Sequence, residues 1–353
     1  MKAATIKDVA SRAEVSVASV SRVLNDNGPV TPETRERVLK AVEALRYVPH
    51  SGARSLITRK TDTIGVILPD LFGEFFSEMI RGLDLAAREK GLHLIVSSSH
   101  DDADEASAAI RSMRGRVDGL IVLSPHLDAA NLAAALAGAT PVLLMNGVAA
   151  EDRASIVVDN HGGAVAAVNH LISGGRTRIA HIAGPAGNLE AEARLAGYHE
   201  AMAAAGLKPR VESGDFTQAS GHGAGSALLA GERPDAVFAA NDMMAVGALL
   251  AFKEAGVRCP EDMALVGFDD VPIAALVQPG LTTMRINIAE TGRRALLRLV
   301  DLIEAKDGAP GPSNEIVRPT LVVRESSSIN GTRPASNPAP SHSGRLREES
   351  TNV

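Results

Sequence analysis

Several residue types are scarce in this 353-residue chain. It contains one cysteine, Cys259, no tryptophan and only 3% aromatic residues. A single cysteine excludes an internal disulfide and any site that needs two thiolate ligands from one chain. No segment approaches the roughly 20 consecutive apolar residues of a membrane-spanning helix, and the first residues, MKAATIKDVA, lack the apolar core of a signal peptide. The sequence therefore predicts a globular protein of the cytoplasm.

Patterns that carry catalysis or hold metals are also missing. The glycines of HGGAVAAVNHLISGG do not have the spacing of a phosphate-binding fingerprint, and GAGS at 223–226 lacks the lysine of a P-loop. The ten histidines form no close pair on one helical face with a third ligand nearby. We therefore expect a binding protein with no catalytic residues, no cofactor and no metal site.

The charge is divided unevenly along the chain. The formal net charge is −6, but residues 1–60 carry 11 Lys and Arg against six Asp and Glu, a balance of +5 that leaves −11 on the remainder. Clustered lysine and arginine favour a polyanionic partner, because neutralised phosphates release their condensed counterions. The N-terminal 60 residues are therefore basic, and the remainder of the chain is acidic.

Capping residues divide this basic module into three helices. Thr5 with Asp8 forms a capping-box pattern, which predicts a first helix over about Ile6 to Ala13. Ser16 is a suitable N-cap for a second helix, and Thr31-Pro32 supplies the cap and first residue of a third. Three short helices with a tight turn between the first two indicate a helix-turn-helix unit.

The second helix has one apolar face and one face of small side chains. Its inward positions are Val20, Val23 and Leu24, and its outward positions are Val17, Ala18, Ser21 and Arg22. Small outward side chains let a helix approach the edges of bases in a major groove, where an arginine can bind guanine bidentately. The alternative is a plain three-helix bundle with one exposed arginine.

The N-terminal motifs resemble those of the LacI/GalR family of bacterial transcriptional regulators. They read TIKDVASRAEVSVASVSRVLN and TPETRERVLKAVEALRYVPHSGARSL, and the resemblance extends from Thr5 to about residue 329. It implies a three-helix headpiece, a hinge helix that forms on operator DNA, and an α/β core like the periplasmic sugar-binding proteins. A solute-binding protein would lack the headpiece, and an enzyme fused to a DNA-binding domain would need a catalytic constellation.

The resemblance also implies DNA-contacting positions. The base-reading positions fall on Val17, Ala18 and Arg22, and the minor-groove lever falls on Leu56. The expected DNA-binding residues are Thr5, Ser16, Val17, Ala18, Ser21, Arg22, Asn25, Ala53, Arg54 and Leu56. Glu14 replaces a turn glycine common in the family, at a cost of about 1 kcal/mol if the residue is left-handed. Gly52 weakens the hinge helix by up to about 1 kcal/mol.

Residues 50–60, HSGARSLITRK, have the composition of a minor-groove element. Ala53 and Leu56 share one helical face, and Arg54, Arg59 and Lys60 surround it with positive charge. An apolar wedge among cations is suited to kinking DNA from the minor groove. A solvated basic linker is the equally weighted alternative.

Beyond residue 61, short aliphatic segments alternate with helix-like segments. A first series is TIGVILPD, LHLIVSSS, DGLIVLS and PVLLMN, and a second is SIVVD, RIAHIAG, AVFAAN and MALVGFDD. Continuous apolar strands between helices indicate parallel sheets covered on both faces. We expect two doubly wound parallel-sheet subdomains in the core.

These patterns set the expected boundaries. The headpiece covers residues 1–49, the hinge 50–60, the core 61–329 and a disordered tail 330–353. Within the core, the N-subdomain comprises about 61–160 and 288–315, and the C-subdomain comprises about 161–287 and 316–329.

Polar residues follow many of the predicted strands. Ligands of open parallel sheets bind beyond the carboxyl ends of the strands, and carboxylate and amide groups there suit sugar hydroxyls. The resemblance assigns ligand contacts to Phe75, Phe76, Arg194, Asn241 and Asp269. The expected effector-binding residues are Asp70, Phe75, Phe76, Ser124, Asn146, Asp159, Arg194, Asn241 and Asp269. For Asp159 and Asp270 a helix cap or an interdomain hydrogen bond is the alternative, and either phenylalanine could instead be a core residue.

The sequence therefore predicts a repressor of carbohydrate-utilisation genes that binds pseudo-palindromic double-stranded operator DNA as a homodimer. A small sugar or polyol is the expected effector, because Asn188 stands where purine-binding relatives have an additional arginine. A purine or another non-sugar effector is the alternative. We expect the protein in the cytoplasm, associated with the nucleoid.

Overall fold

The computed structural model describes residues 4–25, 28–47, 60–100, 102–123, 140–146, 153–305 and 314–328. The chain divides into two compact units, Met1–Thr63 with Gly115–Asp118 and Ile64–Arg114 with Gly119–Val353. We call the first unit the headpiece and the second the core. Among the described residues, no helix has the length and apolarity that a membrane crossing requires.

The headpiece contains the three predicted helices. They are α1 (Ile6–Ala13), α2 (Val17–Asn25) and α3 (Pro32–Leu45). The predicted capping box is confirmed, because the Thr5 hydroxyl accepts from the Asp8 amide while the Asp8 carboxylate accepts from the Thr5 backbone. The three helices enclose a small core whose buried members are Val9, Ala10, Ala13, Val20, Val23, Val38, Ala41 and Tyr47.

Glu14 ends α1 in the left-handed conformation, with φ 52° and ψ 44°. Its neighbourhood is held by Arg37, whose Nη2 lies 2.5 Å from the Ala13 carbonyl oxygen, 3.1 Å from the Glu14 carbonyl oxygen and 3.3 Å from Glu14 Oε2. The ion pair is exposed and contributes little. The turn is therefore held mainly by the hydrogen bonds of the Arg37 side chain to the two backbone carbonyls, and it carries the strain of a Cβ in the left-handed region.

Replacing Glu14 with glycine is expected to stabilise the headpiece by about 1 kcal/mol, because glycine adopts this conformation without strain. Hydrogen exchange in the full-length protein should then be roughly fivefold slower in α1 and α3. Glu14→Ala is the control, since it removes the same ion pair but keeps the Cβ. Equal exchange rates in the glycine and alanine variants would show that the strain at this turn is negligible.

The first sheet of the core has six strands in the order β11-β5-β4-β3-β1-β2. Their bounds are β1 (Thr63–Leu68), β2 (His93–Ser98), β3 (Gly119–Leu123), β4 (Val142–Met145), β5 (Ala154–Val158) and β11 (Asn314–Val317). All pairings from β1 through β3, β4 and β5 to β11 are parallel. The helices that follow β1 and β2 are α4 (Glu74–Glu89) and α5 (Ala103–Met113).

The second sheet also has six strands, in the order β12-β10-β9-β8-β6-β7. Their bounds are β6 (Ile179–Ile182), β7 (Arg210–Glu212), β8 (Ala236–Ala239), β9 (Ala264–Asp269), β10 (Thr282–Arg285) and β12 (Thr320–Val322). β12 is antiparallel to β10, and the other pairings are parallel. The helices around it are α6 (Asn160–Ser173), α7 (Leu189–Ala204), α8 (Gln218–Leu229) and α9 (Asp242–Glu254).

The doubly wound core with two sheets is confirmed. SIVVD heads the second series of strands although it lies within the predicted N-subdomain of about 61–160, and as β5 it pairs with β4 and β11 in the first sheet. Apolarity identifies a buried strand but does not identify its neighbour. The chain returns to the first sheet through α10 (Ile288–Glu304), which packs on α4 where a Cβ on Gly82 would overlap the backbone of Ala289.

Candidate nucleic-acid interface and ligand site

The outward face of α2 has the character that the sequence predicts. Val17 is 42% exposed, Ala18 and Arg22 are exposed and Ser21 is half-buried, whereas Val20 and Val23 are buried in the headpiece core. The first turn of α2 contains no acidic residue and its last turn carries Arg22. A helix with small exposed side chains and one cation has the shape and charge to lie in a major groove.

Two predicted DNA-binding residues cap the helices that they precede. The Ser19 amide donates to Ser16 Oγ at 3.1 Å, and the hydroxyls of these two serines lie 2.9 Å apart. Thr5 and Ser16 are both exposed, so each stands at the open N-terminal end of a helix, where backbone N–H groups attract phosphate. Outside the described residues lie the Asn25 side chain and the predicted hinge residues Ala53, Arg54 and Leu56, with Gly52.

The ligand site predicted from the second series of strands centres on Arg194. This residue lies in α7 and is 3% exposed. Its Nε donates to Asn160 Oδ1 at 2.8 Å, its Nη1 donates to the Ala240 carbonyl at 2.5 Å, and its Nη2 lies 3.3 Å from Asp269 Oδ1. The guanidinium carbon is 3.9 Å from the centre of the Phe268 ring. Arg194 is thus held by groups at the ends of two neighbouring strands and at the start of α6.

Asp269, the ion-pair partner of Arg194, has a strained backbone and a carboxylate oxygen without a hydrogen-bond donor in the part of the chain that is described. It ends β9 with φ 108°, a value that side chains rarely adopt, and Asp270 follows with φ 60°. Burial raises the pKa of Asp269 to about 7, against the lowering effect of Arg194 and with a further increase from the charge of Glu190. Oδ1 is buried and, among the described residues, accepts no well-aligned hydrogen bond, the contact with Arg194 being electrostatic. Backbone strain and a buried, unsatisfied acceptor of this kind are typical of functional sites.

Two neighbouring buried carboxyl groups hold the backbone at Asp269 in its strained conformation. The Asp270 carboxylate accepts from Arg285 Nε at 2.5 Å and from Arg324 Nη2 at 2.7 Å. Asp242 accepts from Thr283 Oγ1 at 2.5 Å and from the Val271 amide at 2.9 Å. These contacts fix the turn after β9 and hold Asp269 in place. Asp270 therefore bonds to other residues of the protein, as the alternative to ligand binding requires.

Three residues at the site were not predicted from the sequence. Asn160 Oδ1 accepts from Arg194 Nε, and burial raises the pKa of Glu190 against the lowering effect of the Arg194 charge. The ring of Phe216 lies 5.9 Å from the Arg194 guanidinium carbon. Asn160 follows a predicted strand end by one residue, and Glu190 lies two residues after Asn188 in PAGNLEA, residues 185–191. No signal in the sequence indicated Phe216, which has φ 70°.

Three predicted effector residues form hydrogen bonds within the protein itself. Asp159 caps α6 by accepting from the Gly162 amide at 2.8 Å. Asn146 Oδ1 accepts from the Val158 amide at 3.2 Å. Asn241 caps α9 through the Met244 amide at 2.9 Å and donates to the Phe216 carbonyl at 3.0 Å. Each of these polar groups therefore orders the end of a strand or the start of a helix.

The remaining predicted residues belong to the first subdomain. Phe75 and Phe76 are half-buried, with ring centres 5.2 Å apart at a steep angle, and pack against the hydrophobic cluster that contains Phe268. Asp70 is exposed and accepts from the amides of Leu71 and Phe72. No hydrogen bond, ion pair or cation–π contact joins these three to Arg194 within the part of the chain that the structure describes. Ser124 lies outside that part.

A metal site has no support in the described residues, where no three His, Cys, Asp or Glu side chains converge as ligands. The polar groups of the ligand site are the Asp269 carboxylate, the Asn160 amide and the Arg194 guanidinium, the last hydrogen-bonded to Asn160 and ion-paired with Asp269. Such groups bind hydroxyls, amides and ring nitrogens by hydrogen bonding rather than by covalent chemistry.

Comparison with known proteins identifies the family of the chain. The family of bacterial regulatory proteins named lacI matches residues 5–50, and a periplasmic binding protein-like domain matches residues 168–327. The HTH-type transcriptional regulator CelR of Thermobifida fusca is 35% identical over 339 residues, covering 91% of this chain and 98% of CelR. The chain belongs to the LacI family of bacterial transcriptional regulators.

Solved structures of other LacI-family regulators extend the likeness to the whole fold. The lac repressor dimer bound to operator and the anti-inducer ONPF is similar with a TM-score of 0.83 and 31% identity, over 92% of this chain and 99% of that one. The complex of CelR with cellobiose is similar with a TM-score of 0.67 and 33% identity, again over 92% and 99%. These relatives are transcriptional regulators and not enzymes.

Proposed function

We propose that this LacI-family regulator is a cytoplasmic repressor that binds a pseudo-palindromic operator as a homodimer and responds to a small sugar or polyol bound in the core. In this proposal residues 1–49 bind the major groove, residues 50–60 form the hinge and residues 61–329 bind the effector. The lac repressor dimer on its operator and CelR with cellobiose are precedents for the two activities. Carbohydrate-utilisation genes are the proposed targets.

One observation carries the proposed response to an effector. Arg194 bonds to Ala240 and Asp269 at the ends of β8 and β9 of the second sheet, and to Asn160, which begins α6 two residues after β5 of the first sheet ends. A ligand that bonds to this network therefore lies where the chain crosses from the first sheet to the second. Different affinity for two arrangements of the subdomains is what an allosteric effector requires.

A second bond between the subdomains supplies a testable element of this switch. The backbone N–H of Ile273, in the 3-10 turn after β9, donates to Glu74 Oε2 at 2.9 Å, and Glu74 is the first residue of α4. This bond favours the arrangement in which the two subdomains are joined at that point. Its loss should shift the balance between arrangements.

Replacing Glu74 with alanine is expected to change effector affinity and operator affinity by roughly fivefold each, because one such hydrogen bond contributes about 1 kcal/mol. Titrations of effector with and without operator give both values. Glu78→Ala is the control, since Glu78 pairs with Arg81 on the same helix. Unchanged affinities in the Glu74 variant would show that this bond takes no part in the switch.

The test of the proposed function has two arms. Selection from randomised double-stranded DNA should recover a palindrome with two half-sites, bound by a protein dimer. Thermal-shift screening of sugars, polyols and purines should find a compound that raises the melting temperature, because a bound ligand stabilises the folded state. That compound should alter operator affinity. Recovery of no sequence preference would refute the DNA-binding role, and a purine as the effective compound would support the alternative effector class.

A further inference from the structure

The carboxylate of Asp118 holds the chain where it enters the first sheet. Its Oδ1 accepts from the Thr61 amide at 2.6 Å and from the Thr61 hydroxyl at 2.9 Å, and its Oδ2 accepts from the Asp62 amide at 2.8 Å. The Asp118 amide donates to the Thr63 carbonyl at 2.8 Å. A carboxylate accepts through both oxygens, and its charge strengthens each hydrogen bond. We call Asp118 and these three residues the clamp.

In the chain, the clamp lies between the proposed hinge and the first sheet. The hinge residues 50–60 directly precede it, and β1 begins within it, at Thr63. Asp118 is the residue immediately before β3, which is the parallel neighbour of β1. Gly115–Asp118 belongs to the same compact unit as the N-terminal residues. The backbone therefore cannot pass from the hinge into the sheet without crossing the clamp.

The second subdomain contains a matching arrangement that no hinge enters. Asp235, directly before β8, accepts from the Thr177 amide at 3.2 Å, the Thr177 hydroxyl at 3.4 Å and the Arg178 amide at 3.0 Å. The Asp235 amide donates to the Arg178 carbonyl at 2.9 Å. The chain arrives here from α6 of the same subdomain and continues into β6. Binding the start of one strand with the carboxylate before its neighbour is thus a feature that the two sheets share.

The two arrangements differ by one residue. The bound threonine lies three residues before the first paired residue of the strand in 61–64, but only two residues before it in 177–179. The clamp includes Asp62 in the left-handed conformation, with φ 51°, whereas residues 177–179, all of which are described, contain no positive φ. Such a conformation persists where the surrounding structure holds it, and one extra residue bends a strand. The clamp therefore both binds the chain and turns it.

We propose that Asp118 is a positioning residue for operator binding: it fixes the direction in which each hinge leaves the first sheet, and so sets the distance between half-sites that the dimer accepts. This inference rests on the proposed function, because it concerns the hinge and a dimer on a palindrome. Headpieces on stiff linkers reach half-sites at one spacing, whereas loose linkers allow several spacings. A dimer on wrongly spaced half-sites relieves its strain by breaking the clamp, so the hydrogen bonds of the clamp determine how strongly wrong spacings are rejected.

The experiment measures the spacing preference of the full-length protein. The probes are duplexes that carry the palindrome recovered by selection, with its half-sites at the original spacing or one base pair closer or further apart, and a duplex with a single half-site. One base pair displaces a half-site by about 3.4 Å and also rotates it about the DNA axis. Fluorescence anisotropy gives the affinities. The wild-type protein is expected to bind the original spacing at least about tenfold more tightly than either altered spacing.

The variant Asp118→Ala removes the three hydrogen bonds that the carboxylate accepts. The preference for the original spacing should fall at least about fivefold, while affinity for the single half-site stays within about twofold of the wild type. Asp235→Ala is the matched control, because it removes the corresponding three hydrogen bonds from the second subdomain and leaves the hinge unchanged. Its spacing preference should equal that of the wild-type protein.

The variant Thr61→Val is a milder test that does not depend on the fate of β1 and β3 in Asp118→Ala. Valine keeps the branched shape of the side chain and both backbone hydrogen bonds of the clamp, but it lacks the hydroxyl that donates to Asp118. The spacing preference should fall about two- to fivefold. Thr177→Val is the control, because it removes the corresponding hydroxyl beside Asp235.

Three results would overturn the inference. They are equal binding of all spacings by the wild-type protein, an unchanged preference in both clamp variants, and an equal loss of preference in Asp235→Ala. Each would leave Asp118 as a residue that only orders the start of a strand. A failure of the proposed function is distinguishable, because the wild-type protein would then bind no palindrome more tightly than the duplex with a single half-site.

Discussion

Replacing Arg22 with alanine is expected to weaken binding to the preferred operator by about 1–3 kcal/mol, roughly 5- to 150-fold, and to relax base preference at one position in each half-site. Arg22 is exposed on α2, on the face opposite the buried Val20 and Val23. A guanidinium there can bind guanine through two parallel hydrogen bonds, and alanine offers no replacement. The measurement is selection from randomised half-sites followed by fluorescence anisotropy on the selected and mismatched duplexes.

The control for this variant is Arg12→Ala. Arg12 is an exposed cation in the last turn of α1, beside Arg37 and Lys40 rather than on the outward face of α2. Its removal lowers the charge of the headpiece by the same amount, so a purely electrostatic role would give both variants the same uniform loss. An Arg22 variant that retains the wild-type base preference would contradict the assignment of α2 to the major groove.

The headpiece could be predicted almost residue by residue because its signals are local. Thr5, Asp8 and Thr31 bond to amides within three residues of themselves. Capping of this kind depends on the near sequence alone and not on distant parts of the chain. The left-handed Glu14 is the exception, since its position is held by Arg37 from α3, 23 residues away.

The strands of the core could be predicted where burial on both faces makes them continuously apolar. β1, β3 and β4 are of this kind. The sequence does not predict β11, because this edge strand is half-exposed and its sequence, NEIV, is not continuously apolar. Its Glu315 pairs with Arg294 and Arg298 of α10. β11 therefore depends on contacts with residues outside its own segment.

The ligand site could be predicted only at its centre. Arg194 and Asp269 follow strands whose carboxyl ends meet, which places them at one edge of the sheet. Glu190 and Phe216 reach the same point through a helix start and a loop, and the spacing of residues in the sequence does not encode that approach. The caps formed by Asp159 and Asn241 are again local, and they show that a polar residue after a strand often orders the next helix.

Two substitutions at the centre of the site are expected to abolish the response to effector, with different effects on the free protein. Arg194→Ala leaves Asp269 without its cation and leaves the Ala240 carbonyl unpaired, so we expect a loss of about 3–5 kcal/mol in the stability of the core. Asp269→Asn keeps the shape of the side chain and removes a buried charge, so the core should remain folded. The asparagine variant is therefore the clearer test of the site.

With Asp269→Asn, affinity for the effector is expected to fall roughly ten- to a hundredfold or more, because a charge-assisted hydrogen bond contributes about 1.5–3 kcal/mol. Operator binding without effector should persist, since Asp269 lies in the core and the DNA-reading residues lie on α2. The protein would then remain in its resting state at effector concentrations that switch the wild type. Calorimetry with the compound found by thermal shift, paired with operator titrations, measures both properties.

Asp262→Asn is the matched control, because Asp262 is an exposed carboxylate paired with Arg258 in the same subdomain, 2.7 Å from its Nη2. This variant should bind effector and operator as the wild type does. If Asp269→Asn also retained wild-type effector affinity, the effector would bind elsewhere in the core. If it lost operator binding together with effector binding, Asp269 would be a structural residue whose strained backbone stabilises the turn after β9. Loss of the effector response alone is the outcome that a ligand contact predicts, since only a group that differs in its interaction with bound and free states can couple the two.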